Sequence, residues 1–220
     1  MMPLMRLRSG PLTALVLLHA IAAAALGQLN RPAGNDALPY GGQHEVGVWS
    51  GYSGFSGPIW GYSRDVHYSP TDLRYSFLIT PDAHHLAIRY APEITLVAVL
   101  CETQKTEVNP LAPVCRFGSG LSPEAFQFVF RPLSRVQPFV SNAGGLLYFN
   151  DRVLSPQGSQ FMYTIDFGGG VNLFASRSST ITLGYRYQHL SNANISIHNP
   201  GTDADTFYVG YSHFYTRGPR

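Results

Sequence analysis

Lysine is nearly missing from this chain: Lys105 is the only one in 220 residues. Charged residues of all kinds make up 13%, about half of the ~25% usual for soluble domains. The formal net charge is +2, too small for the basic surface that nucleic-acid binding needs. There are 2 cysteines with no histidine near either, so no metal site and no cofactor is implied. Beyond Leu26 no apolar run is long enough for a membrane-spanning helix. What the chain has instead is glycine (22), tyrosine (13) and phenylalanine (13). That composition fits both an outer-membrane barrel and a secreted β-sandwich.

The first 27 residues read as a secretory signal peptide. Arg6 and Arg8 form a basic start, an apolar run follows from Leu12 to Leu26, and Ala25-Leu26-Gly27 offers small residues at a cleavage site. Residues 28–220 then form a single domain. In an oxidising compartment an isolated pair such as Cys101 and Cys115 is most simply a disulfide. The segment between them, "ETQKTEVNPLAPV", reads as a loop that the bond would staple.

Alternation is the main pattern. Leu73, Tyr75, Phe77 and Ile79 take one parity, while Asp72, Arg74, Ser76 and Thr80 take the other. Phe161, Tyr163, Ile165 and Phe167 alternate with Thr164, Asp166 and Gly168; Ile181, Leu183, Tyr185 and Tyr187 alternate with Thr182, Gly184, Arg186 and Gln188. Period two predicts antiparallel β-structure throughout, in about eight strands near 43–53, 71–80, 84–99, 123–132, 135–150, 159–175, 179–191 and 204–215. The polar parity carries Glu45, Arg74, Arg89, Arg131, Asp166 and Arg186. A solvated face uses lysine freely, whereas enclosed ion pairs favour the planar fork of arginine. The polar parity is therefore expected inside and the apolar parity outside, against lipid: an all-β, eight-stranded antiparallel transmembrane β-barrel of the bacterial outer membrane. Short connections ("PDAH", "LSR", "SRSS") alternate with longer ones at 54–70, 100–122, 151–158 and 192–203. That is the pattern of periplasmic turns and outer loops. Trp49 and Trp60 are expected in the wall or an interface belt.

The seventh predicted strand ends in an unusual way. After Tyr185 and Tyr187, the lipid-facing parity continues with His189 and Ser191. Polar groups facing lipid need partners. A histidine beside a serine makes sense as a general base beside a nucleophile, with a carboxylate orienting the imidazole. Asp203 and Asp205 share the outward parity of the last strand, and either could reach His189. Asn192 and nearby backbone N–H groups could hold a developing oxyanion.

The stretch "YRYQHLSNANISIHNPGTDADTFYVGYSHF" (185–214), with the upstream "FVSNAGGLLYF" and "FMYTIDFGGGVNLF", resembles the lipid A deacylases of the PagL type, also called acyloxyacyl hydrolases. The resemblance implies an outer-membrane serine esterase that removes the ester-linked 3-hydroxyacyl chain at position 3 of lipid A in lipopolysaccharide. It implies Ser191 as nucleophile, His189 as base, and Asp203 as acid on the spacing through Asn199 and Gly201. It places Asn192, and the backbone of Asn194, at the oxyanion position. Two positions differ from the family pattern: the acid there is typically Glu, and Asn194 stands where Gly is frequent. Two other functions fit the same scaffold: a structural or adhesive barrel without catalysis, and a broader phospholipid esterase.

Overall fold

The computed structural model describes residues 40–55, 57, 59–80, 85–103 and 113–216. The expected signal peptide, the turn at 81–84 and most of the segment between the cysteines lie outside them. Nine strands follow in chain order: β1 (His44–Tyr52), β2 (Val66–Leu78), β3 (Leu86–Tyr90), β4 (Glu93–Thr103), β5 (Pro113–Phe130), β6 (Val136–Val153), β7 (Ser159–Phe174), β8 (Ser179–Ser191) and β9 (Thr202–Tyr215). All pairings are antiparallel, and β1 bonds to both β2 and β9, which closes the sheet. Strands β3 and β4 both lie between β2 and β5. They are two halves of one wall position, interrupted at Ala91 and Pro92, where proline has no N–H for the ladder. The ring therefore has eight positions, and closure removes every free sheet edge.

Alternation sets the faces. Val46, Val48, Leu73, Ile94, Leu183 and Val209 are exposed on the outside. Glu45, Arg74, Arg89, Asp166 and Arg186 are buried inside. Glu93 accepts hydrogen bonds from Arg74 Nη2 and Arg186 Nη1, each at 2.7 Å. Arg89 donates to Ser76 Oγ at 2.8 Å, and that hydroxyl donates to Glu45 at 2.5 Å. Buried charge is tolerable because it is paired and hydrogen-bonded. Two expectations fail here. Trp49 is not in the wall: its indole lies inside, 4.4 Å from the Arg186 guanidinium, and its N–H donates to Glu93 at 3.2 Å. Arg131 is exposed, because β5 ends at Phe130 and parity no longer governs the next residue, which turns at φ 53°.

The interior is also less polar than alternation alone suggests. Tyr68, Leu100, Phe149, Met162 and Leu190 form a fully buried apolar cluster with Val66, Ala98, Leu147, Val153 and Ala204. Inward residues here pack against one another rather than line a channel, so apolar side chains gain by meeting. Leu190 and Ala204 belong to the strand ends that carry the histidine and the acid, and this packing backs them rigidly.

The cysteines sit on strands rather than in a loop. Cys101 of β4 and Cys115 of β5 are directly opposed in the ladder and bonded, with Cα atoms 4.0 Å apart. The predicted loop 100–122 is thus strand as far as Thr103 and again from Pro113. The bond is a cross-strand link at the ends of β4 and β5. Its sequence separation of 14 corresponds to about 3 kcal/mol of chain-entropy stabilisation. Replacing both cysteines by serine should lower the unfolding free energy from urea titration by up to that amount, and alkylation of the non-reduced, denatured parent should label no thiol.

Candidate active site

Strand β8 carries His189 and Ser191 on its outward side, with the fully buried Leu190 between them pointing inward. Register then brings one of the two aspartates to the histidine. His189 is directly opposite Asp203 in the β8–β9 ladder, whereas Asp205 is opposite Tyr187. His189 Nδ1 lies 2.7 Å from Asp203 Oδ1. A carboxylate only accepts, so Nδ1 carries the proton and Nε2 is left with a free lone pair. Direct opposition brings the two backbones close, and the short aspartate side chain reaches without strain. Asp205 is engaged elsewhere, accepting from the Tyr185 hydroxyl.

Asp203 is 0% exposed, so its second oxygen must also find donors. They come from loop 1 (residues 53–65). The backbone N–H groups of Ile59, Trp60 and Gly61 all donate to Asp203 Oδ2, at 2.9, 2.8 and 2.9 Å. The same stretch is zipped to the loop before β9: Tyr62 N–H donates to the Pro200 carbonyl at 2.9 Å and Ser63 N–H to that of Gly201 at 3.0 Å. The Trp60 ring stands edge-on to His189, with centroids 5.5 Å apart and planes at 90°. It also touches Tyr187 and Phe167.

Ser191 is held from loop 4 (residues 192–201). Asn199 Nδ2 donates to its Oγ at 3.0 Å and Ala193 N–H donates at 3.1 Å. Among the described residues Ser191 Oγ has no hydrogen bond to His189. Such contacts are often loose until substrate arrives. Asn192, expected at the oxyanion position, takes the opposite parity and is buried. Its side-chain amide donates to Ser196 Oγ at 2.6 Å and the His198 carbonyl at 3.0 Å, and accepts from Asn194 N–H at 2.9 Å. Its own N–H is bonded to Asn199 Oδ1 at 3.0 Å. Asn192 and Asn194 therefore shape the loop, and the groups that face Ser191 are Asn199 Nδ2 and Ala193 N–H. Ala193 and Asn194 adopt φ of 51° and 63°. That left-handed conformation suits asparagine better than most side chains, which explains how Asn194 fills a position where glycine is frequent.

Among the described residues no group of three or more His, Cys, Asp or Glu side chains is placed to hold a metal ion. The family of lipid A 3-O-deacylases (PagL) matches residues 46–212. The chain belongs to that family. Among solved structures it is similar to the outer membrane enzyme PagL, at 14% identity and a TM-score of 0.45, covering 78% of this chain and 99% of that one. It is likewise similar to Neisserial surface protein A, at 12% identity and a TM-score of 0.48, covering 79% and 97%. Outer membrane protein OprG from Pseudomonas aeruginosa follows at 12% and 0.45, covering 83% and 100%. Among curated proteins no relative matches the chain. As a closed barrel of the lipid A 3-O-deacylase family, the protein resides in the bacterial outer membrane.

Three features of the site were not legible from the motif alone: Asn199 as the partner of Ser191, the amides of loop 1, and Trp60. Asn199 lies within the "HNPG" stretch and could have been weighed for its side chain rather than as a spacing marker. Loop 1 gives no local signal beyond the glycine of "WGY".

Proposed function

We propose that this protein is an outer-membrane esterase that removes the 3-hydroxyacyl chain ester-linked at position 3 of lipid A, with Ser191 as nucleophile, His189 as general base and Asp203 as the orienting acid. The observation that carries this reading is the His189–Asp203 pair at 2.7 Å, set beside Ser191 on the outward face of the barrel. Long loops of such barrels lie on the outer side, which puts the trio level with the outer leaflet, where lipid A is anchored.

Each step uses a group already described. In the proposed reaction Ser191 Oγ turns from Asn199 and Ala193 toward His189 Nε2. Oγ attacks the ester carbonyl carbon as Nε2 takes its proton. Asn199 Nδ2 and Ala193 N–H, which donate to Oγ at rest, are thereby released to serve the new oxyanion. The tetrahedral intermediate collapses, the C–O bond to the sugar breaks, and His189 returns the proton to the departing sugar oxygen. A water activated by the same nitrogen then cleaves the acyl-enzyme and releases the 3-hydroxy fatty acid.

Asn199→Ala should lower kcat by about 10²–10³-fold, the usual loss for one oxyanion donor, and should change KM little. Kinetics on a 3-hydroxyacyl ester check this.

The reading as a whole is tested by mass spectrometry of lipid A from cells expressing the protein. A lipid A species lighter by one 3-hydroxyacyl chain is expected, together with the free acid. Unchanged lipid A with accumulating lysophospholipid would make the protein a phospholipid esterase. Neither change would leave the structural or adhesive reading.

A further inference from the structure

We infer that loop 1 is a clamp for the acid, and that Gly61 and Trp60 are positioning residues for the ester cleavage proposed above, on which this inference rests. An aspartate that orients an imidazole with one oxygen can still swing about χ2 unless its other oxygen is fixed. Here three consecutive backbone donors converge on Asp203 Oδ2 at 2.8–2.9 Å, which leaves Oδ1 the oxygen that serves His189. The clamp replaces the side-chain length that a glutamate would have. A short acid directly opposite the histidine, gripped from behind, is held as firmly as a long one reaching from further away.

Gly61 makes the grip possible. A Cβ at this position would lie 2.6–2.8 Å from the Cα, C and N of Thr202, closer than side-chain carbons come to backbone. Loop 1 can approach the neighbour of Asp203 this closely because residue 61 has no side chain. Trp60 completes the arrangement. Its N–H is the shortest of the three donors, and its ring covers His189 and Tyr187 from the lipid side. Tyr187, on the outward parity, is only 8% exposed. Ile59 and Tyr62, which flank these two residues, direct their side chains outward and are 66% and 81% exposed. The backbone of the segment faces the acid, while the side chains of Ile59 and Tyr62 point away from it.

The test compares refolded parent, Gly61→Ala and Gly54→Ala proteins in two measurements. The first is steady-state cleavage of a 3-hydroxyacyl ester. The second is the downfield proton NMR signal of an imidazole N–H bonded to a carboxylate, assigned through its loss in His189→Ala. Gly61→Ala should push the loop away, lower kcat by about 10²-fold with KM within about twofold, and abolish or shift the signal. Gly54→Ala, in the same loop but with its Cβ against the Tyr52 ring, should match the parent in both. A Gly61→Ala protein with parental kcat and an intact signal overturns the clamp. If Gly61→Ala does not refold, replacing residue 59 by its α-hydroxy analogue, which puts an ester oxygen where the N–H stood, deletes one donor without adding an atom against Asp203 and should show the same changes at smaller amplitude; parental values there overturn the clamp equally. The NMR signal does not depend on turnover. Its loss in Gly61→Ala supports the clamp even if the parent cleaves no lipid, in which case it is the proposed reaction that fails.

Discussion

Ser191→Ala should abolish deacylation, by at least about 10⁴-fold in kcat, while the barrel still folds. The side chain contributes almost nothing to the fold. Its hydroxyl is bonded to Asn199 and Ala193 in loop 4, and the neighbouring Leu190 does the packing. His189→Ala should be nearly as severe, because in the proposed mechanism Nε2 both removes and returns the proton. The two groups act as one unit, so the double variant should be little worse than either single. The readout is release of a 3-hydroxy fatty acid by purified protein, with heat-modifiable gel migration to show that the barrel has closed. Substantial residual cleavage in Ser191→Ala would remove it as nucleophile.

The second large effect is expected from Asp203→Asn. The three amides of loop 1 would hold the asparagine carbonyl oxygen, since only an acceptor can satisfy three N–H donors. The asparagine NH₂ must then face His189. Nδ1 is forced to accept, the ring proton moves to Nε2, and the base presents a proton to Ser191 instead of a lone pair. Loss of about 10⁴-fold in kcat follows from the wrong tautomer with the geometry intact. The clamp makes this stronger than a merely solvated acid would allow, because the asparagine cannot flip to hide the error. Asp203→Glu should also be poor: an added methylene in a fully buried cradle has to displace the loop. Asp205→Asn, which among the described residues disturbs the hydrogen bond from Tyr185, should stay within a few-fold of the parent. Should Asp205→Asn prove the crippled variant and Asp203→Asn the active one, the assignment of the acid is wrong.

Much of this architecture is written in parity. Alternation in Leu73–Ile79, Phe161–Phe167 and Ile181–Tyr187 gives strands and faces because a side-chain period of two is local. The scarcity of lysine identifies the polar face as the enclosed one, and that reading places Glu45, Arg74, Arg89, Asp166 and Arg186 inside. Parity also puts His189 and Ser191 on one face. Its reach ends where strands end. Arg131 lies one residue past β5 and turns away, and residues 113–122 look irregular in sequence although they pair with β4 and β6. Trp49 obeys the alternation of β1 and so points inward, away from the wall or interface belt expected for it. The tie between loop 1 and Asp203 spans 142 residues at Gly61, and no local pattern encodes a contact of that length. Choosing Asn199 over Asn192 likewise depends on how loop 4 folds back.

The seam at which β1 meets β9 has a consequence for when the site exists. His189, Ser191 and Asp203 all lie on the β8–β9 hairpin, so they can meet as soon as that hairpin zips. The amides of Ile59, Trp60 and Gly61 belong to the hairpin of β1 and β2, on the other side of the seam. They reach Asp203 only after the first and last strands have joined. On the proposed function, a chain in transit through the periplasm would lack the clamp on Asp203 and stay latent toward the lipids it passes. Completion would then coincide with closure of the barrel, beside the lipid on which the proposed reaction acts.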